Sequence, residues 1–207
     1  MVYEAVTGFS LPEDPGRPNI GVCRTPLWDE AEPCAQTALE EAASKLSGVG
    51  YSIRDICLPP QFDSIEQPFR VISNYEGKNA LADEFRNHMS NMNSWMQETG
   101  NSNWSEKDYC VAVCAADTAR SALGKLLKDT PILLTPSTAG EAPPDLESVT
   151  MSSFNRMWTL MHGPTMTLPV SAGPNSMPVG IQIVAGIGED AALIARSLEI
   201  MRVLHSV

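Results

Sequence analysis

The sequence predicts an α/β protein with a mixed, largely parallel sheet flanked by helices. Three observations support this class. Short apolar runs alternate with amphipathic helical patterns, the first runs form a strand–helix–strand unit, and TLPVSAGPNSMPVGIQIVAG at 167–186 has the pattern of a hairpin. A strand–helix–strand unit implies parallel pairing, whereas a hairpin adds antiparallel strands. The sheet is therefore expected to be mixed.

The first unit starts with a strand over 18–24, inside RPNIGVCRTP. A helix follows, because apolar residues recur at helical spacing between Leu39 and Leu46 and Gly48 is a typical helix stop. The stretch YSIRDICLP then alternates apolar and polar residues up to Pro59, which predicts a second strand. The short joints favour a right-handed crossover between the two strands.

The next seventy or so residues have helical patterns. Pro68 fits near the start of one helix, and Gly77 is expected to mark a joint between two. The clearest helix lies in NSNWSEKDYCVAVCAADTARSALGKLLKD, where Ser105 and Asp108 resemble a capping box and Pro131 follows the end.

The last third returns to strands. PILLTP is a short buried strand, STAGEAPPDLESVT is a loop by composition, and SSFNRMWTLM is a short helix. The hairpin of 167–186 follows, and EDAALIARSLEIMRVL closes the chain as an amphipathic helix. We expect residues 1–17 to be an N-terminal tail or linker and residues 18–207 to form a single domain.

Charge and composition exclude several classes of function. The formal net charge of -11 argues against binding to nucleic acid or anionic lipid, which needs clustered Lys and Arg. No apolar run reaches the roughly 18 residues of a membrane span, and the N-terminus lacks the pattern of a signal peptide. Five irregularly spaced cysteines favour a reduced chain, so we expect a cytoplasmic location.

A search for catalytic patterns finds no active site in the residues alone. The chain has no G-x-S-x-G elbow, no S-x-x-K and no glycine loop of the nucleotide-binding kind. Cys110 and Cys114 lie four apart on a helix but lack further ligands nearby in sequence, so buried thiols are favoured over a metal site. We expect neither a metal nor a cofactor.

The order of segments resembles the C-terminal part of amidase signature enzymes. PILLTPSTAGEAPP matches the family's strand ending in an LLTPT stretch. Gly163-Pro164 and Pro169 match its G-x-P segment, and MPVGIQ at 177–182 matches its GLPVGVQLVG strand. NIGVCRTPLWDEAEP and NYEGKNALADEF resemble earlier family segments, so the resemblance covers the chain from about Pro18 onward. It implies part of the family's α/β/α fold.

The resemblance implies an activity whose catalyst lies elsewhere. Family members hydrolyse carboxamides with a serine nucleophile, a second serine in a cis peptide, and a lysine, with backbone donors for the oxyanion. These groups lie in a Gly- and Ser-rich signature in the N-terminal half, and this sequence has no such stretch. No catalytic position is therefore carried over, and the chain alone is expected to be inactive.

The resemblance also implies that this half supplies one wall of the pocket for a small-molecule amide. Seven residues are candidates by position: Thr135, Ser137, Thr138, Ser153, Phe154, Trp158 and His162. Phe154 and Trp158 are four apart on one helix face, a spacing that is more often found in the core than in a pocket. Ser152 or Ser153 equally fits a helix cap. The alternative function is a non-catalytic binding module of the same fold. If a larger sheet has been divided, we expect self-association, for example as a homodimer, through an exposed sheet edge.

Overall fold

Residues 2–144 and 153–206 are described by the structure, a computed structural model. They form one five-stranded sheet with helices on both faces. The strands are β1 (Ile20–Val22), β2 (Ile53–Asp55), β3 (Ile132–Pro136), β4 (Thr165–Ala172) and β5 (Pro178–Val184). The helices are α1 (Val2–Thr7), α2 (Pro33–Gly48), α3 (Glu66–Ala80), α4 (Ala82–His88), α5 (Ser94–Asn101), α6 (Glu106–Asp129), α7 (Ser153–Met161) and α8 (Asp190–His205).

The sheet is mixed, as the sequence predicts. Its order is β2–β1–β3–β5–β4. β1 pairs in parallel with both β2 and β3, whereas β5 pairs antiparallel with β3 and with β4. The strand–helix–strand unit and the hairpin account for these two kinds of pairing, and both predictions are confirmed.

Two apolar cores lie on opposite faces of the sheet, which gives the three layers of an α/β/α fold. On one face α2 and α8 pack against β1, β3 and β5 through residues such as Leu39, Ile181 and Ile200. On the other face α6 and α7 pack against Leu133 and Val184. Because strand side chains alternate, neighbouring residues of β3 and β5 point into different cores.

The helical middle of the chain differs from the prediction at one glycine. Gly77 lies inside α3 and not at a joint, which falls at Leu81 instead. A Cβ atom at Gly77 would lie 3.2 Å from Thr99 Cγ2, so the glycine serves close packing of α5 against α3. The capping box of α6 is confirmed: the Ser105 hydroxyl accepts from the Asp108 backbone N–H, and the Asp108 carboxylate accepts from the Ser105 backbone N–H.

The N-terminal segment expected to be a tail contains the short helix α1. Its last residues contact the domain, because Arg17 donates to Val49 O over 2.9 Å and Arg196 donates to Pro15 O over 3.2 Å. Within 2–144 and 153–206, no helix combines the length and the apolarity needed to cross a bilayer. The predicted loop STAGEAPPDLESVT covers 137–150, and its last part, from 145 on, lies outside the described residues.

Candidate functional site

A cavity of about 300 Å³ opens where β3 leaves the sheet. Ser137 and Thr138, the two residues after the strand, line it together with Thr167 and Gly180 of the hairpin. The carboxyl ends of the parallel strands β1 and β3 lie on this side. In open α/β sheets, ligands bind in crevices at the carboxyl ends of strands. The fold therefore brings two of the predicted site residues to the edge where a ligand is expected.

Ser137 is fixed by the hairpin and is almost fully buried. Its Oγ donates to Gly180 O over 2.8 Å. The approach requires a glycine, because a Cβ at Gly180 would lie 2.8 Å from Thr167 Cγ2 and 3.3 Å from Ser137 Oγ. A serine nucleophile needs a base as hydrogen-bond partner. Ser137 instead donates to a carbonyl, and this geometry fits a wall residue.

Glu141 fastens the loop after β3 to the turn of the hairpin. Its carboxylate accepts from the backbone N–H of Asn175 over 3.0 Å and from that of Met177 over 3.2 Å, and also from the side-chain amide of Asn175. The residue is buried, and it lines the same cavity as Ser137. A buried carboxylate that accepts several N–H groups is a strong anchor, so Glu141 sets the position of the cavity rim.

A chain of amides connects this loop to α7 and to the centre of the sheet. Asn155 Nδ2 donates to Ser137 O over 3.2 Å, and Gln182 Nε2 donates to Asn155 Oδ1 over 2.7 Å. Within the described residues, Gln182 Oε1 and the indole Nε1 of Trp158 are buried without a hydrogen-bond partner. Sequence reasoning missed Asn155 and Gln182. The signal was a glutamine inside the otherwise apolar strand PVGIQIV.

Three other predicted residues on β3 and α7 are more deeply buried. Thr135 is fully buried inside β3. Phe154 packs in a cluster with Ala38 and Val179, and the Trp158 ring lies 6.5 Å from that of Phe62, centroid to centroid. The structure thus places both aromatic side chains in the core. Ser153 begins α7, and Ser152, its alternative as helix cap, lies outside the described residues.

His162 lies at the opposite end of the hairpin from Ser137. It leads into β4, where Thr165 pairs with Val184, whereas Gly180 pairs four residues away, about 13 Å along the strand. His162 is exposed and has a left-handed φ of 58°. Arg120 Nη2 lies 3.1 Å from its Nε2, and because a guanidinium can only donate, Nε2 is the acceptor. The structure does not bring His162 and Ser137 together.

The prediction that the two cysteines of α6 are buried is wrong. Cys110 and Cys114 are exposed and not buried, because the face of α6 that packs on the core carries Ala112, Ala116 and Ala119 instead. Cys23 is the buried thiol, and desolvation by burial raises its pKa to about 11. In the part of the chain that the structure describes, no three His, Cys, Asp or Glu side chains gather as a metal-binding group.

The fold and the cavity at the end of β3 define an α/β protein with a crevice at the carboxyl ends of its parallel strands, and comparison with known proteins identifies its family. The family model described as Amidase matches residues 7–194. The chain belongs to this family. A search of characterised protein sequences found no significant match.

Several solved structures share the fold. One, a crystal structure of an amidase, superposes with a TM-score of 0.78 at 24% identity, over 93% of this chain and 47% of that chain. A 6-aminohexanoate cyclic dimer hydrolase complexed with substrate gives 0.76 at 18% identity, over 94% and 46%. The allophanate hydrolase of Kluyveromyces lactis gives 0.74 at 18% identity, over 94% and 33%. The chain therefore spans less than half the length of these structures.

Proposed function

We propose that the chain is the C-terminal region of an enzyme that hydrolyses the C–N bond of a carboxamide. The nucleophilic serine, the cis-peptide serine and the lysine of the reaction belong to sequence outside these 207 residues. The observation that carries the proposal is a family match over residues 7–194 in a chain that spans 47% of a similar amidase structure. The order of the segments from PILLTP to the closing helix supports a C-terminal position.

The hydrogen bonds of this chain support a catalyst located elsewhere. A serine–lysine relay requires a lysine that bonds to a serine hydroxyl. Among the described residues no lysine ammonium does so: Lys45 donates to Leu204 O over 3.4 Å, and Lys78 donates to the backbone carbonyl of Ser102. The Ser137 hydroxyl donates to Gly180 O. These groups stabilise the fold.

The contribution of this chain is the sheet and one wall of the substrate pocket. Ser137 and Thr138 line the cavity beyond β3, and the buried carboxylate of Glu141 holds its rim. The substrate is a small-molecule amide. A location in the cytoplasm agrees with five cysteines that carry no disulfide.

Of the two edge strands of the sheet, β4 is the one through which two copies of the chain are expected to associate. The other edge, β2, has only three residues and includes the exposed Arg54 and Asp55, which discourage strand addition. β4 has eight residues and no charge. Pro169 and the irregular pairing between Pro169 and Ser171 interrupt it, and His205 Nε2 lies 2.9 Å from Pro169 O. Self-association of the isolated chain, as a homodimer, is expected to use the stretch before Pro169.

Amide hydrolysis tests this function. The purified chain is expected to release no ammonia from benzamide above the blank. The same chain, co-expressed with the polypeptide encoded directly upstream of it, is expected to release ammonia. Hydrolysis by the isolated chain that disappears in Ser137→Ala would refute the proposal, and so would an inactive complex that forms stoichiometrically.

A further inference from the structure

A second cavity, of about 540 Å³, lies between α6 and the turn that connects β5 with α8. Its wall includes Pro131, which precedes β3, whereas the cavity near Ser137 opens where β3 ends. The two cavities therefore lie at opposite ends of β3. The volume of the second cavity is in the range of cavities that hold small molecules.

Gly124 lies on the α6 side of this cavity and has no packing reason, among the described residues, to be a glycine. It lies inside a helix of 24 residues, where glycine is less favourable than alanine. A Cβ at Gly124 would have no neighbouring atom within 4 Å, whereas a Cβ at Gly163 would lie 2.5 Å from Ala185 O. Glycine also serves where a ligand approaches the backbone closely. The open space at Gly124 can hold the body of such a ligand.

Much of the cavity wall is apolar. The buried side chains of Leu127 and Met161 line it. Ile187, in the turn before α8, also lines it and is 66% exposed although its side chain is large and apolar. An apolar ligand that covers Ile187 and the partly exposed Pro131 removes their surface from water, which favours binding.

Two cations without a carboxylate partner line the same cavity. Lys128 is exposed and forms no hydrogen bond or ion pair within the described residues. Arg196 Nε donates to Pro15 O over 3.2 Å, and in the part of the chain that the structure describes it has no ion pair. Glu189 lies seven residues before Arg196, about 10 Å along α8, and a third cation, Arg120, is already paired with a carboxylate. Two unpaired cations at one cavity of an acidic chain attract an anion.

The apolar space and the unpaired charge are close together on α6. Lys128 lies one turn after Gly124 on the same helix face, about 6 Å along the axis. A molecule whose apolar body lies over Gly124 therefore brings its end group within reach of Lys128. The helix dipole also favours a cation in the last turn, but it accounts neither for Arg196 nor for the open space at Gly124.

We propose that this cavity binds a small carboxylate with an apolar body, of the medium-chain fatty acid class. The apolar body lies over Gly124 and against Ile187, and the carboxylate lies at the rim, in the field of Lys128 and Arg196. Both cations are on long side chains that are at least partly exposed, so each contributes without having to bond to the same oxygen. The site goes beyond the proposed function and uses no residue of the cavity near Ser137.

Titration of the purified chain with octanoate tests the site by nuclear magnetic resonance of ¹³C-methyl methionine. The chain has ten methionines, so Met161→Leu identifies the signal from the cavity, and the exposed Met177 is an internal control. Octanoate is expected to shift the Met161 signal saturably, with Kd on the order of 0.1–1 mM, and to leave the Met177 signal in place.

Two related ligands separate the apolar from the charged contribution. Hexanoate lacks two CH₂ groups and is expected to bind about fifteenfold more weakly than octanoate, because each buried CH₂ strengthens binding about fourfold. Octylammonium has the same apolar chain with a positive end group, and it is expected to leave the Met161 signal in place.

Two variants with matched controls test the wall. Gly124→Leu fills the open space and is expected to weaken octanoate binding at least about tenfold, whereas Gly48→Leu, at another exposed helical glycine with open space, is expected to bind as the wild type does. Lys128→Glu is expected to weaken binding about fivefold. Lys125→Glu makes the same change of charge on α6 outside the cavity wall and is expected to have no effect.

Four results would overturn the site: no saturable shift at Met161, an equal shift with octylammonium, unchanged affinity in a folded Gly124→Leu, or equal affinity in Lys128→Glu and Lys125→Glu. If Gly124→Leu does not fold, the two lysine variants decide. Loss of octanoate binding in the complex with the upstream polypeptide would also overturn it, because the cavity would then be a contact between two polypeptides. The outcome is separate from the amidase assay, since octanoate has no C–N bond to hydrolyse.

Discussion

Gly163→Ala is expected to destabilise the chain more than any exposed glycine substitution. Gly163 lies between α7 and β4, and a Cβ there would lie 2.5 Å from the carbonyl oxygen of Ala185. That oxygen belongs to the backbone, and the neighbouring Ala185 N–H donates to Pro164 O over 3.1 Å. The two segments are therefore held together, and the methyl group must push one of them away.

The expected loss of stability in Gly163→Ala is the sum of two contributions. Overpacking of this kind costs about 1–3 kcal/mol, and loss of the hydrogen bond to Pro164 costs about 1 kcal/mol. We expect a loss of about 2–4 kcal/mol in the free energy of unfolding. At this chain length, that loss lowers Tm by about 4–16 °C.

Urea denaturation followed by circular dichroism measures the effect, and two further glycines separate its causes. Gly124 lies inside α6 with no atom within 4 Å of the added Cβ, so Gly124→Ala is expected to stabilise by about 0.5–1 kcal/mol. Gly188 also has open space but a φ of +83°, so Gly188→Ala is expected to cost about 1–2 kcal/mol through backbone strain alone. A Gly163→Ala protein as stable as the wild type would refute the reasoning.

Four further predictions follow from the same contacts. Glu141→Ala is expected to lower the free energy of unfolding by about 1–3 kcal/mol in urea denaturation, because it leaves the turn N–H groups unpaired; an unchanged midpoint would contradict this. The hydrogen bond from the Ser105 side chain, with that from its backbone, lowers the pKa of Asp108 below the ordinary value of an aspartate. Asp108→Asn is therefore expected to reduce Tm at pH 7 and to have no effect once the pH has fallen below the folded pKa, since a depressed folded pKa adds stability that is lost on acidification. A thiol reagent is expected to label three cysteines rapidly and Cys23 only after unfolding, and rapid labelling of Cys23 in the folded chain would show the burial to be wrong. The quickly labelled residues are Cys57, Cys110 and Cys114. Size-exclusion chromatography is expected to show concentration-dependent association that Thr167→Lys on β4 abolishes, whereas a monomer at every concentration would exclude the edge contact.

Local patterns predicted the elements of the fold well because each depends on residues near in sequence. The capping box of Ser105 and Asp108 is local chemistry, and the alternation in YSIRDICLP predicts a strand without knowledge of its partner. Gly77 shows the limit of such reasoning. A Cβ at position 77 would lie 3.2 Å from Thr99 Cγ2 of another helix, and this close contact between distant residues lies outside the range of any local pattern.

The candidate site was less predictable because it depends on contacts between distant segments. Ser137 and Gln182 are 45 positions apart in the sequence, yet Asn155 connects them. The family resemblance predicted that His162 and Ser137 line the same pocket. The antiparallel register of β4 and β5 instead places them at opposite ends of the hairpin. Cys110 and Cys114 had the spacing of a shared helix face, but only the packing of α6 determines that this face is exposed.

Reaction with a fluorophosphonate, which phosphonylates activated serine nucleophiles, tests most directly whether the nucleophile lies outside this chain. The purified chain is treated with the reagent, and adducts are located by mass spectrometry after digestion. The account predicts no stoichiometric adduct on any serine of the 207 residues, and in the complex an adduct on the other polypeptide. A stoichiometric adduct on a serine of this chain, such as Ser137, would contradict it.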